Sequence, residues 1–155
     1  MPLEIERKFL VSGHAWRSAD AVLYRQGYLN RDKQRTVRVR ITGDRAFLTI
    51  KGVSSGATRV EFEYEIPVSE AAQLLTLCDG PLIEKTRHRV TVGPHVWEVD
   101  EFHGDNDGLV VAEIELGSED EAFARPAWVT VEVTEDARYY NSNLAVRPFR
   151  TWSES

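Results

Sequence analysis

The stretch Arg59-Val60-Glu61-Phe62-Glu63-Tyr64-Glu65-Ile66 alternates without a break between charged and apolar residues. Successive side chains of a β-strand point to opposite faces, so Glu61, Glu63 and Glu65 share one face and Val60, Phe62, Tyr64 and Ile66 the other. A helix would scatter both sets around its axis, so the period of two predicts a strand. The polar face is unusual because every position on it carries the same full charge. Solvated faces tend to mix Ser, Thr, Gln, Lys and Glu. Like charges two residues apart repel, so a single-signed face calls for opposite-signed neighbours or a ligand to compensate it.

Moving outward along the chain, the same alternation recurs at 3–10, 36–41, 46–51, 85–92, 96–102, 110–116 and 129–134, which with 59–66 makes eight candidate strands. Thr42-Gly43-Asp44-Arg45, Gly52 to Ala57, Gly93-Pro94 and Gly104 to Gly108 are turn-rich breaks, so most neighbours are hairpin-connected and antiparallel. Each strand's polar face is again nearly single-signed. Glu4 and Glu6 share theirs with Lys8, and Arg7 falls on the other side. Arg38 with Arg40, Thr49 with Lys51, and Lys85 with Arg87 and Arg89 form basic faces; Glu98 with Asp100, and Glu113 with Glu115, form acidic ones. The economical explanation is a charged cavity. The expected fold is therefore mainly β: a closed eight-stranded antiparallel β-barrel, or tunnel, with a charged interior and a few outer helices covering its apolar outer wall. Ser69 followed by Glu70, Ala71, Ala72, Leu74, Leu75 and Leu77 predicts a capped helix ended by Gly80-Pro81. Further helices are expected at 119–123 and 135–144, with a helical turn over 14–21.

At 155 residues the chain is read as a single domain spanning 1–155. Its apolar runs are only a few residues long, so neither a membrane span nor a secretory segment is expected. Cys78 is the one cysteine and sits among Leu74, Leu75 and Leu77 as a small hydrophobe would, which fits a reducing cytoplasm. A formal net charge of −6 argues against a nucleic-acid binder held by its overall field. A homodimer is expected from frequency alone, with no interface named.

The chemistry follows from the faces. Carboxylates two apart on one strand converge on a hard cation through oxygen ligands, so Glu4 with Glu6 and Glu113 with Glu115 supply two such pairs, suited to Mg²⁺ or Mn²⁺. Lys8, Arg38, Arg40, Lys51, Lys85, Arg87 and Arg89 are suited to grip phosphate oxygens. Lys8, Arg38 and Lys85 are the candidates to act on the reacting phosphoryl group. Glu61, Glu63, Glu98 and Asp100 stand either as a second metal site or as wall residues paired with Arg or Lys. Tyr28 could reach a phosphate through its hydroxyl or pack at a barrel mouth. His88 faces away from Arg87 and Arg89 and is read as structural, while His103 lies in a loop near one end and could reach a ligand. The sequence has no Gly-rich phosphate loop ending in Lys-Ser/Thr, no Cys/His zinc spacing and no Gly-x-Ser-x-Gly elbow.

Glu4-Ile5-Glu6-Arg7-Lys8-Phe9 resembles the N-terminal Glu-x-Glu-x-Lys signature of the CYTH domain family, the triphosphate tunnel metalloenzymes. The resemblance continues through Gln26-Gly27-Tyr28-Leu29, Arg38-Val39-Arg40, Leu48-Thr49-Ile50-Lys51, Glu61 to Pro67, Glu84-Lys85-Thr86-Arg87, Glu98 to Phe102, Gly108-Leu109, Ala112-Glu113-Ile114-Glu115 and Arg138-Tyr139-Tyr140-Asn141. The chain departs from the pattern at Thr130, where the family often has Gly. The resemblance implies an eight-stranded tunnel, a main metal on Glu4, Glu6, Glu115 and Glu113, and a phosphate chain held by the basic set. It also implies a small-molecule triphosphate substrate. The expected reaction is metal-dependent hydrolysis of inorganic tripolyphosphate to pyrophosphate and phosphate. The alternatives are an adenylyl cyclase, a thiamine or nucleoside triphosphatase on the same fold, and a non-catalytic polyphosphate or nucleotide sensor.

Overall fold

In the computed structural model, which describes residues 3–154, nine strands form one antiparallel sheet. In chain order they are β1 (Leu3–Val11), β2 (Ala21–Asn30), β3 (Arg35–Thr42), β4 (Arg45–Gly52), β5 (Thr58–Ile66), β6 (Asp79–Val92), β7 (His95–Phe102), β8 (Val110–Glu115) and β9 (Val129–Glu132). Eight of them run round a ring in the order β5, β4, β3, β2, β6, β7, β8, β1, and β1 closes it by pairing Leu3 with Val60 and Ile5 with Thr58 of β5. Beyond that point β5 diverges, and β9 lies against the second half of β1 at Phe9 and Val11. The barrel is thus the expected closed eight-stranded one, with β9 as an extra strand.

The tight hairpins explain two glycines. Only Gly43 and Asp44 separate β3 from β4, and only Gly93 and Pro94 separate β6 from β7; Gly43 and Gly93 have φ of 62° and 59°, a conformation that favours glycine.

The strand set differs from the sequence expectation at one stave. β2 was not anticipated, because its inward positions Val22, Tyr24, Gln26 and Tyr28 carry no charge and its outward face mixes Leu23 with Arg25 and Gly27. The pattern that marks the other staves is absent there. The stretch at 129–134, counted among the eight, is instead the extra strand, shortened to Val129–Glu132.

The outward faces are apolar and covered in two places. Phe9, Trp16, Trp97, Val99, Ala112, Ile114, Leu116 and Trp128 form one buried cluster. Under α1 (Val68–Leu75), Val39 and Ala46 pack against Ala71 and Leu75. That helix starts without a side-chain cap from Ser69, its N-cap being Pro67, and ends at Leu75 before Gly80-Pro81, which lie inside β6. Where α1 leads into β6 the chain crosses β2 closely. A Cβ on Gly27 would sit 2.7 Å from Leu82 Cδ2 and 2.9 Å from Cys78 Cβ. Gly27→Ala is therefore expected to destabilise the fold by about 1–3 kcal/mol through overpacking, measurable by urea denaturation. An unchanged midpoint would mean that this seam is loose.

The other expected helices are broken for identifiable reasons. Residues 14–20 form bends and a turn, with Ala21 already in β2, because Trp16 swings in to lie edge-to-face on His88 at 5.1 Å and donates from Nε1 to Gly13 O at 2.7 Å. Residues 119–123 are irregular: Glu121 accepts from Gly117 N at 2.6 Å, and Phe123 packs edge-on against Phe9 and Trp97. Over 135–144, Asp136 caps a single 3-10 turn at Ala137–Tyr139, Tyr140 is extended (φ −71°, ψ 132°), and only then does α2 (Asn141–Leu144) begin.

That break allows the C-terminal segment to enter one end of the barrel. Ile83, Phe102 and Val111 point inward, on the same faces as Lys85, Asp100 and Glu113, and they are buried against Val133, Tyr139, Leu144 and Ala145. An apolar plug thus closes one end of the barrel, and the charged residues line the space above it.

Candidate active site in the barrel interior

Above the plug the barrel encloses a cavity of 390 Å³. Its wall includes every residue of the acidic and basic candidate sets except Asp100: Glu4, Glu6, Lys8, Arg38, Arg40, Lys51, Glu61, Glu63, Lys85, Arg87, Arg89, Glu98, Glu113 and Glu115. The strand register brings them together. Glu6 is directly opposite Glu115 and Lys8 opposite Glu113 across the β1–β8 ladder, and Glu98 is opposite Glu113 across β7–β8. Going round the ring from β8 through β7, β6 and β2 to β3 covers half its circumference, so the acidic β1–β8 wall faces β2 and β3, the latter carrying Arg38 and Arg40, and basic β6 stands between the two. Arg7 lies outside, paired with Glu132 at 2.6 Å, and Glu65 pairs with Arg45 at the exposed rim.

Within the cavity the charges divide into compensated and uncompensated sets. Lys51 Nζ reaches Glu4 Oε1 at 2.8 Å and Glu61 Oε2 at 3.5 Å, while Lys8 Nζ reaches Glu113 at 3.1 Å and Glu6 at 3.5 Å. Asp100 is sealed behind the wall, with Arg87 Nε at 2.7 Å and Lys85 Nζ at 2.8 Å. Arg87 extends further to Glu98 at 3.3 Å and Glu113 at 3.6 Å. Across the cavity the picture changes. Among the described residues Glu63, at 3.7 Å, is the one carboxylate that Arg38 meets; Arg38 Nη2 also donates to Thr49 Oγ1 at 3.2 Å, and its buried Nε has no partner. Arg40, on β3 with Arg38, makes no carboxylate ion pair among the described residues, and its Nε donates to Gln26 Oε1 at 2.9 Å; nor does Arg59 on β5, which stands opposite Glu4 on the β1–β5 ladder and donates from Nε to Gly52 O at 3.1 Å.

The proton affinities follow the same division. Burial, helped by the guanidiniums of Arg38 and Arg87, pushes Arg40 down to about 9. Burial also pulls Lys85 down to about 7; Asp100 opposes this, while Arg87 and Arg40 add to it. Burial works against the charge on Lys8, but Glu113 and Glu6 more than offset it and raise its proton affinity. Such a cluster of cations, short of anions, is a site for an anion.

On the facing wall the shortage is reversed. Burial and the carboxylates of Glu113 and Glu4 push Glu6 up to about 8, and burial with Glu4 raises Glu115. A carboxyl raised in this way is bound more tightly to its proton in the folded chain than in the unfolded one. Its ionisation costs nothing below the ordinary value of 4.5 and its full amount above 8, so stability falls as pH rises through that window. Glu6→Gln is therefore expected to raise the melting temperature, in chelator, by more at about pH 9 than at about pH 5. Equal shifts at the two pH values would contradict this.

Whether this wall suits a divalent cation can be read from its donors. All are carboxylate oxygens, as hard cations require, and their excess negative charge holds a proton on Glu6. Among the described residues no three such side chains stand in a ready coordination group, because Lys8 and Lys51 occupy the carboxylates. The donor type and charge fit; the lysines would have to exchange partners.

Several site features escaped the sequence reading. Arg59 lines the cavity and shares its face with Glu61 and Glu63, a parity that could have revealed it. Tyr24, Thr36 and Ser142 line it with no charge signal, and Asn141 arrives from the plug. Tyr28 lines the cavity as well. His88 is structural: it lies outside the barrel, accepting from Ser18 N and facing Glu101. His103 is turned to Thr86 at 2.7 Å, away from the cavity.

The family model for the CYTH domain matches residues 2–147. The chain belongs to the CYTH domain family. This CYTH chain is 53% identical over 156 residues to the inorganic triphosphatase of Acetivibrio thermocellus, covering 99% of this chain and 100% of that one. It is 39% identical over 147 residues to the inorganic triphosphatase of Nitrosomonas europaea, covering 92% and 97%. A solved crystal structure of an inorganic triphosphatase superposes on this CYTH barrel with a TM-score of 0.67 at 38% identity, again over 92% and 97%.

Proposed function

We propose that this chain is a divalent-metal-dependent triphosphatase that hydrolyses inorganic tripolyphosphate to pyrophosphate and phosphate. The observation that carries the reading is the two-walled cavity: Arg38 and Arg40 without full compensation on one side, and Glu4, Glu6, Glu113 and Glu115 in excess on the other. The names of the two relatives, at 53% and 39% identity, support it.

In this reading Arg38, Arg40, Lys85, Arg87 and Arg89 take up phosphate oxygens, and Lys8 and Lys51 join them on leaving Glu113 and Glu4. Mg²⁺ or Mn²⁺ would be held by Glu4, Glu6, Glu113 and Glu115, where a bound divalent ion supplies Lewis-acid polarisation of phosphate oxygens and a more acidic water. The cations fix the chain so that water attacks the terminal phosphorus in line, and the bridging P–O bond breaks as pyrophosphate leaves. Lys8, Lys85 and Arg38 neutralise the charge that grows on the oxygens around that phosphorus. Glu61, Glu63 and Glu98 act as wall partners of Lys51, Arg38 and Arg87.

The preference for an inorganic chain rests on the aromatic residues. Arg40 and Arg87 lie over Tyr24 at 4.7 and 4.9 Å, and Arg45 lies over Phe47 at 5.1 Å, so these rings already stack guanidiniums where a nucleobase or thiazolium would compete for them. A cytoplasmic setting belongs to the same reading, since among the described residues no helix is long and apolar enough to cross a membrane and Cys78 is a packing residue. A pair of identical subunits remains the expectation from frequency. The test is a substrate panel with Mg²⁺ or Mn²⁺: kcat/KM for tripolyphosphate is expected to exceed that for ATP and thiamine triphosphate by at least about 10²-fold. Cyclic AMP among the ATP products would assign the cavity to a cyclase instead.

A further inference from the structure

The plug does more than close the barrel. Asn141 Oδ1 accepts from Lys85 Nζ at 2.9 Å and from Gln26 Nε2 at 3.2 Å, and Gln26 Oε1 accepts from Arg40 Nε at 2.9 Å. Lys and Arg can only donate, so the orientation of both amides is fixed: oxygen to Lys85 for Asn141, and oxygen to Arg40 for Gln26. Gln26 is fully buried and Lys85 nearly so, which leaves neither room to choose other partners.

The consequence for the cations is directional. An ammonium has three protons. On Lys85 one goes to Asp100 at 2.8 Å and one to Asn141 at 2.9 Å, so the third has a fixed heading, from a residue that lines the cavity. Arg40 has its Nε committed to Gln26 and keeps its two terminal nitrogens for the cavity that it also lines. One carbonyl oxygen of the C-terminal segment therefore orients two cations on different strands, β6 and β3.

We propose that Asn141 is a positioning residue for the phosphate chain: it aims Lys85 and, through Gln26, Arg40, and so ties turnover to the docking of the C-terminal plug. The inference rests on the cavity being the triphosphate site. It predicts that the hydrogen-bond chain, and not only the bulk of the plug, sets the rate.

The test is a double-mutant cycle on tripolyphosphate turnover with saturating Mg²⁺ or Mn²⁺. Asn141→Ala is expected to lower kcat by about 10- to 100-fold with little change in melting temperature. In the Lys85→Ala background the same change is expected to cost at least about threefold less than in the parent, because the arm through Lys85 is gone and only the arm through Gln26 to Arg40 remains. A full loss in both backgrounds, or unchanged kcat in the single variant, overturns the inference. Wild-type activity in Lys85→Ala would instead overturn the reading of the cavity itself, so the two failures are distinguishable. If Asn141→Ala folds poorly, the isosteric Asn141→Asp carries the test. It keeps the acceptor for Lys85 and Gln26 but sets a negative charge beside the phosphate chain, so KM is expected to rise at least about tenfold while kcat is largely kept. An unchanged KM overturns the inference.

Discussion

Arg40→Ala is expected to lower tripolyphosphate turnover by about 10²–10³-fold while leaving the fold at least as stable as the parent, measured by phosphate release alongside a thermal melt. Arg40 makes no carboxylate ion pair among the described residues, is crowded by Arg38 and Arg87, and is held down to about 9 by burial and that repulsion. A buried cation of this kind weakens the empty barrel, and an anion in the cavity would relieve the strain. Its removal should therefore separate function from stability, which is the signature of a group kept for a ligand. A variant that loses stability but keeps its turnover would show that Arg40 serves the fold.

Asp100→Ala has the opposite profile. Asp100 is almost fully buried between Arg87 and Lys85, and the two cations hold its carboxyl below the ordinary value in spite of its burial. Removing one partner of such a group strands two buried positive charges, at a cost of about 3–5 kcal/mol, so the variant is expected to unfold at much lower denaturant or to need bound triphosphate to fold. The sign of the pH dependence agrees. A depressed carboxyl contributes stability that is present above its unfolded value of 3.8 and is lost as pH falls through its lower folded value, so the parent's acid denaturation should carry this term and the variant's should not. A denaturation midpoint equal to the parent's would contradict the placement of Asp100 as the anchor of the basic wall.

The barrel was legible in the sequence because seven of its eight staves alternate charge with apolar residues, and the ladder register then sets Glu6 against Glu115 and Lys8 against Glu113. Apart from Arg59, what the sequence hid was neutral. β2 faces the cavity with Tyr24, Gln26 and Tyr28, and an amide or phenol leaves no charge pattern to read. The division between Asp100, sealed with Lys85 and Arg87, and Glu98, which lines the cavity, is a matter of depth that alternation cannot express. The long helix expected at 135–144 satisfied local propensity, yet the chain breaks at Tyr140 because Tyr139 and Leu144 both fill the barrel end. Tertiary packing overrode the local preference there, and it also delivered Asn141 to Lys85.

The central claim is that one cavity brings a triphosphate and a divalent ion together between its two walls. Its most direct test is phosphate release from tripolyphosphate by the purified chain with Mg²⁺ or Mn²⁺ and with chelator, beside Glu4→Gln. Release is expected to require the metal and to be lost in the variant. Release that persists in chelator, or that Glu4→Gln leaves intact, would contradict it.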